Sequence, residues 1–193
     1  HRDLHSFPTR RSSDLGRNVD PARIDPRARL VQGATPDVRF GAFEGSAALI
    51  LLGYHAKALT PGALLAHSYS SLSIQGMWLN GREVGEIGVD AAIAAEHGVP
   101  VVMVSGCDKV VAEVREWIPG AVTVQTKRST GAQSAECVPL EASRRMIREK
   151  TAEAVGRRQE IAPITVTYPA TLRRDYLPKG SPRTYDQIGR AHV

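Results

Sequence analysis

Two uninterrupted apolar runs constrain this chain most: AALILLGY over Ala47–Tyr54 and VPVVMVS over Val99–Ser105. Each is short and lacks polar–apolar alternation, which is the pattern of a strand buried on both faces. Such strands need helices above and below them, and so predict a parallel sheet. The intervening sequence supplies helices. Glu86 to His97 places Ile87, Ala91, Ile93 and Ala94 near one face, with Gly98 positioned to stop it. A second helix is expected from Asp108, read as its cap, to Trp117, before the breaker Pro119-Gly120. AVTVQT, Ala121–Thr126, follows as a third strand. Leu140–Arg157 is the longest stretch of helical period, and Ile164–Tyr168 reads as a last strand. Ser73–Leu79 and Arg82–Val84 flank Asn80-Gly81, the dipeptide best suited to a tight hairpin turn. The expected fold class is α/β, a mainly parallel sheet with helices on both faces, incomplete.

The ends of the chain need separate treatment. His5–Leu15, HSFPTRRSSDL, reads as the translation of a common sequencing adapter, and Ile188–Val193, IGRAHV, as that of its partner. The expected organisation is therefore an adapter-derived, structureless 1–15, an α/β domain over 16–160, the start of a C-terminal segment over 161–187, and adapter-derived residues over 188–193. Arg2, Arg10, Arg11 and Arg190, offset by Asp3 and Asp14, lie in these ends and supply two of the five net positive charges. The HRDL at the start lacks the asparagine that a kinase catalytic loop places after it, so no kinase is implied.

Charge and composition narrow the partners. The basic residues of Leu140–Arg157 lie off its apolar face and have no interleaved aromatics, so they read as a solvated face and not as a nucleic-acid contact. No apolar run approaches the roughly 20 residues that span a bilayer, and no secretory signal is recognisable, so no membrane partner and a cytoplasmic location are expected. Cys107 and Cys137 form no CxxC pair and are read as buried small hydrophobes.

Three residues between the first apolar run and the first helix offer metal chemistry. His55 lies where the apolar run ends, at the carboxyl end of a strand, where open α/β sheets place functional loops. His67 follows the turn signal Thr60-Pro61-Gly62 and is expected on an ordered loop folding back over His55. Glu86 begins the helix. Two imidazoles and a carboxylate suit zinc, but separations of twelve and nineteen residues match no local ligand motif. Loop histidines that merely hydrogen-bond their own backbone are the alternative. Asp108 and Asp90 read as a cap and a helix-surface residue, and His97 as a helix end. No GxSxG elbow surrounds any serine of Ser68–Ser73.

The blocks GYHAKALTPGALLAHS and NGREVGEIGVDAAIAAEHGVPVVMVSGCD resemble, in order, the zinc-dependent D-aminopeptidase family of the dipeptide-transport-operon type, and the similarity covers most of Asn18–Val155. The resemblance implies that His55 and Glu86 are ligands of a two-zinc centre and that His67 is the catalytic histidine. It implies an aminopeptidase acting on short peptides with N-terminal D-residues, D-Ala-D-Ala-like, and self-association into a homo-oligomeric ring. The family's Asp-x-Glu-Gly and Asn-Asp-Ser-His blocks are absent, so the chain is expected to be a fragment with half the ligands, active in its intact parent and inactive alone. Another metal-dependent amidohydrolase on the same scaffold, or a non-catalytic binding or assembly module, are the competing readings.

Overall fold

The computed structural model describes residues 20–28 and 45–178. The chain divides into two compact units, 1–43 and 44–193. The adapter-like ends lie outside the described residues. In the first unit, Pro21–Arg23 forms one 3-10 turn, capped by Asp20, whose Oδ1 accepts from Ala22 N at 3.0 Å.

The second unit runs β1 (Leu49–Leu51), β2 (Ile74–Leu79), β3 (Arg82–Glu83), α1 (Glu86–Glu96), β4 (Val101–Cys107), α2 (Asp108–Trp117), β5 (Val122–Gly131), β6 (Ser134–Cys137), α3 (Leu140–Gly156) and β7 (Leu172–Tyr176). One sheet has the order β1-β4-β5-β6; β1, β4 and β5 are parallel and β6 is antiparallel to β5. Every residue of β4 is buried, as its unbroken apolar run requires. Val101, Cys107 and Leu51 pack with Ile87, Ala91, Val110 and Val114 of α1 and α2. Val102, Met103, Val122 and Val124 pack with Ala154, Met146 and Ile147 of α3. Helices therefore cover both faces of a mainly parallel sheet.

A second sheet, β3-β2-β7, is antiparallel. Asn80 and Gly81 join β2 to β3 at φ of 49° and 80°, the left-handed backbone that the turn demands. Asn80 also grips the C-terminal segment: its Nδ2 donates to Thr167 O at 2.8 Å and its Oδ1 accepts from Thr171 N at 2.8 Å.

Several expectations are corrected. Ile164–Tyr168 forms no strand: Ile164 packs against the core, while Tyr168 is exposed and donates its hydroxyl to Glu96 at 2.8 Å. The strand falls instead at β7, whose LRRDY has no apolar alternation because arginine stems do the covering. Arg173 stacks 4.0 Å above the Trp78 ring and Arg174 5.5 Å from that of Tyr69. Cys107 is buried, but Cys137 is exposed on β6, a polar strand that has no apolar signature. Cys107, not Asp108, is the N-cap of α2; the Asp108 carboxylate instead accepts from Ser129 N at 2.7 Å. Among the described residues no helix is long and apolar enough to cross a membrane.

Candidate metal centre

The site lies beyond the carboxyl end of β1. The chain continues to track β4 after the strand ends, with Tyr54 N donating to Ser105 O at 2.8 Å and Gly53 N to Ser105 Oγ at 2.9 Å. His55 follows directly. The loop that returns to it carries Leu59, Leu65 and Tyr69 at φ of 64°, 50° and 52°. Each such residue costs about 1–2 kcal/mol, a strain that accumulates where geometry serves a site. The loop is held by the β5–β6 hairpin: Leu65 N donates to Ala132 O at 2.8 Å and Leu64 N to Ser129 Oγ at 3.2 Å. Asp108 braces that hairpin through Ser129, and its hydrogen bonds from Ser129 and Lys109 overcome the opposing effect of burial and hold its carboxyl below the usual range.

Folded this way, the loop stacks the His67 ring on His55, centroids 3.5 Å apart at 21° between planes. Glu86 reaches both from the first turn of α1, where the helix dipole favours a carboxylate. Its Oε1 lies 3.3 Å from His55 Nε2 and 4.0 Å from His67 Nε2, and accepts from Tyr69 N at 2.7 Å. The three donor atoms lie within 4.8 Å of one another, and His67 is 6% exposed. The structure thus brings together His55, His67 and Glu86.

Tautomers follow from the partners. His55 Nδ1 faces Ala56 O at 3.1 Å and His67 Nδ1 faces Leu65 O at 2.7 Å. A carbonyl only accepts, so each Nδ1 carries a proton and each Nε2 lone pair is directed to the Glu86 side. Lone pairs set against a carboxylate need a cation among them. In the bare protein a proton serves: burial opposes charging His55, but the hydrogen bond and charge of Glu86 outweigh it and carry the imidazole above its ordinary range. Two ligands bound at about 2.0–2.1 Å around a tetrahedral zinc stand roughly 3.3–3.4 Å apart, which the His55–Glu86 pair matches. Two nitrogens and an oxygen, the imidazoles oriented by backbone carbonyls and Glu86 by the Tyr69 N–H, fit that ion.

The supporting residues were less legible. Asp90 is not on the surface but fully buried, with Oδ2 accepting from the Tyr54 hydroxyl at 2.6 Å, a clamp one residue from His55 and one helical turn from Glu86. Glu113 is buried too, and burial pushes its carboxyl up to about 7 despite the Lys57 N–H that donates to Oε2 at 2.7 Å. Both carry a signal in spacing. Asp90 lies four residues after Glu86, and Glu113 stands three after Val110 and four before Trp117, on the core-facing side of α2.

Comparison with known proteins decides the lineage. The D-aminopeptidase family model matches residues 11–184. The chain belongs to the D-aminopeptidase family. A D-aminopeptidase of Bacillus subtilis (strain 168) is 33% identical over 153 residues, 77% of this chain and 54% of the relative. A solved structure, the Zn-dependent D-aminopeptidase DppA from Bacillus subtilis, described as a self-compartmentalizing protease, superposes with a TM-score of 0.80 at 28% identity, over 86% of this chain and 61% of DppA. The chain therefore spans about half the length of this curated D-aminopeptidase.

Proposed function

We propose that the chain carries part of the active site of a zinc-dependent aminopeptidase that removes N-terminal D-residues from short, D-Ala-D-Ala-like peptides. The observation that carries this reading is the convergence of His55, His67 and Glu86 with both Nε2 atoms directed to one carboxylate oxygen. His55 and Glu86, at the separation a single zinc requires, are the metal ligands. His67, farther from Glu86, is the catalytic histidine. A second zinc belongs to the same proposal, on the ground of the family resemblance alone.

When bound, zinc would polarise the scissile carbonyl. The rest falls to the protein. His67 Nδ1 faces Leu65 O, which in the neutral ring leaves the lone pair on Nε2; that Nε2 takes the proton of an attacking water and gives it to the departing amine as the C–N bond breaks, or itself attacks the carbonyl carbon, displacing the amine and leaving an acyl group that water then hydrolyses. The stacked His55 ring and the strained backbone at Leu65 and Tyr69 hold His67 in place. Self-association into a homo-oligomeric ring is supported by the exposed Leu52, Leu65 and Leu72, 62%, 45% and 77% accessible.

The experiment is release of D-alanine from D-Ala-D-Ala by the zinc-loaded intact protein. His67→Ala should lower kcat by about 100-fold or more. Full activity in that variant would remove the assigned role, and light scattering of the same sample that gave only monomer would remove the ring.

A further inference from the structure

The amide joining Ala56 to Lys57 touches three groups at once. Its oxygen accepts from His55 Nδ1 at 3.1 Å and from the His67 backbone N–H at 3.2 Å. Its N–H donates to Glu113 Oε2 at 2.7 Å. A carbonyl oxygen has two lone pairs, so both histidine donors fit on it. We propose that Glu113 is a positioning residue of the metal centre, acting on His55 and His67 together through the Ala56–Lys57 peptide. The proposal rests on the reading of His55 as a zinc ligand.

The physics is that of a carboxylate–histidine–metal arrangement with an amide inserted. A carboxylate at the N–H end of a peptide polarises it and makes the oxygen at the other end a stronger acceptor. A stronger bond at Nδ1 fixes the His55 ring and raises the donor strength of Nε2 toward a cation. The same oxygen anchors the backbone of His67, so ligand and catalyst keep a common reference point.

Two further observations point to Glu113 being kept for this purpose. Its second oxygen, Oε1, is buried and has no hydrogen-bond partner among the described residues. A half-satisfied buried carboxylate costs about 1–3 kcal/mol, which an apolar side chain here would avoid. The chain also clears a space for it. A Cβ on Gly85 would overlap Glu113 Oε1 and come within 2.6 Å of Lys57 Cβ, so the residue preceding the ligand Glu86 is one with no side chain. One carboxylate thus lies against both the loop that carries His55 and His67 and the start of the helix that carries Glu86.

The test measures the zinc affinity of the full chain by competition with a chromophoric chelator, in wild type, Glu113→Gln, Glu113→Ala and His55→Ala. Glutamine keeps an oxygen for Lys57 N–H but carries no charge. Glu113→Gln should weaken zinc binding about tenfold and Glu113→Ala more. The metal-free melting temperature of Glu113→Gln should not fall, and its His55 Nδ1–H proton resonance in the zinc-loaded protein should move upfield, which a purely structural role would not produce. Zinc affinity within twofold of wild type in Glu113→Gln, while His55→Ala loses it, overturns the role of Glu113 and leaves the metal reading standing. Wild-type affinity in His55→Ala overturns the metal reading, and this proposal with it.

Discussion

Glu113 and His55 share a feature at the level of single side chains: both take up protons on folding. Burial raises the Glu113 carboxyl from 4.5 to about 7, and Glu86 raises His55 against its own burial. The native metal-free protein therefore holds protons that the unfolded chain releases. For Glu113 this contribution is fully present below 4.5 and is lost as pH rises through about 7. It is on the order of 3 kcal/mol. Melting temperature should fall between about pH 5 and about pH 8 in the metal-free protein, and Glu113→Gln should flatten that fall. An unchanged slope in the variant would contradict the raised carboxyl of Glu113. His55, His67 and Glu86 were legible as donor residue types after the first apolar run and at the helix start, but their spacing matched no ligand motif and their roles came from the family resemblance. The sequence hid Ala56 and Leu65, whose contribution is a backbone carbonyl that any residue possesses.

Elements with their own periodicity were legible, and those shaped by neighbours were not. The run Val99–Ser105 became the fully buried β4, whereas of Ala47–Tyr54 only Leu49–Leu51 forms a strand, half-buried at Leu49 and Ile50; the 3.6-residue patterns became α1, α2 and α3, and Asn80-Gly81 became the β2–β3 turn. β6 and β7 are polar strands stabilised by pairing with β5 and β2, so no apolar alternation marks them. The start of α1 is where local and tertiary demands meet. Gly85 caps the helix without a side chain because Glu113 and Lys57 occupy the space. Gly85→Ala should destabilise the protein by about 1–3 kcal/mol, read as a lower urea midpoint. The same midpoint as wild type would mean that the packing at the head of α1 is looser than described.

For the molecule as a whole, the parallel sheet serves as a platform whose carboxyl edge carries the site, as open α/β sheets do. β1 delivers His55, the loop braced by the β5–β6 hairpin delivers His67, and α1 delivers Glu86. The convergence could not be read from spacings of twelve and nineteen residues, because it depends on three left-handed residues turning the loop back over β1. Membership of the D-aminopeptidase family fits this platform and its donor set. The central claim is a division of labour, in which His55 and Glu86 hold zinc and His67 performs chemistry. Zinc affinity of the full chain, compared across His55→Ala, Glu86→Ala and His67→Ala, tests it most directly. Loss of more than about 100-fold in the first two with a change of only a few fold in the third is the expected result. Wild-type affinity in all three, or a loss in His67→Ala as large as in His55→Ala, would contradict it.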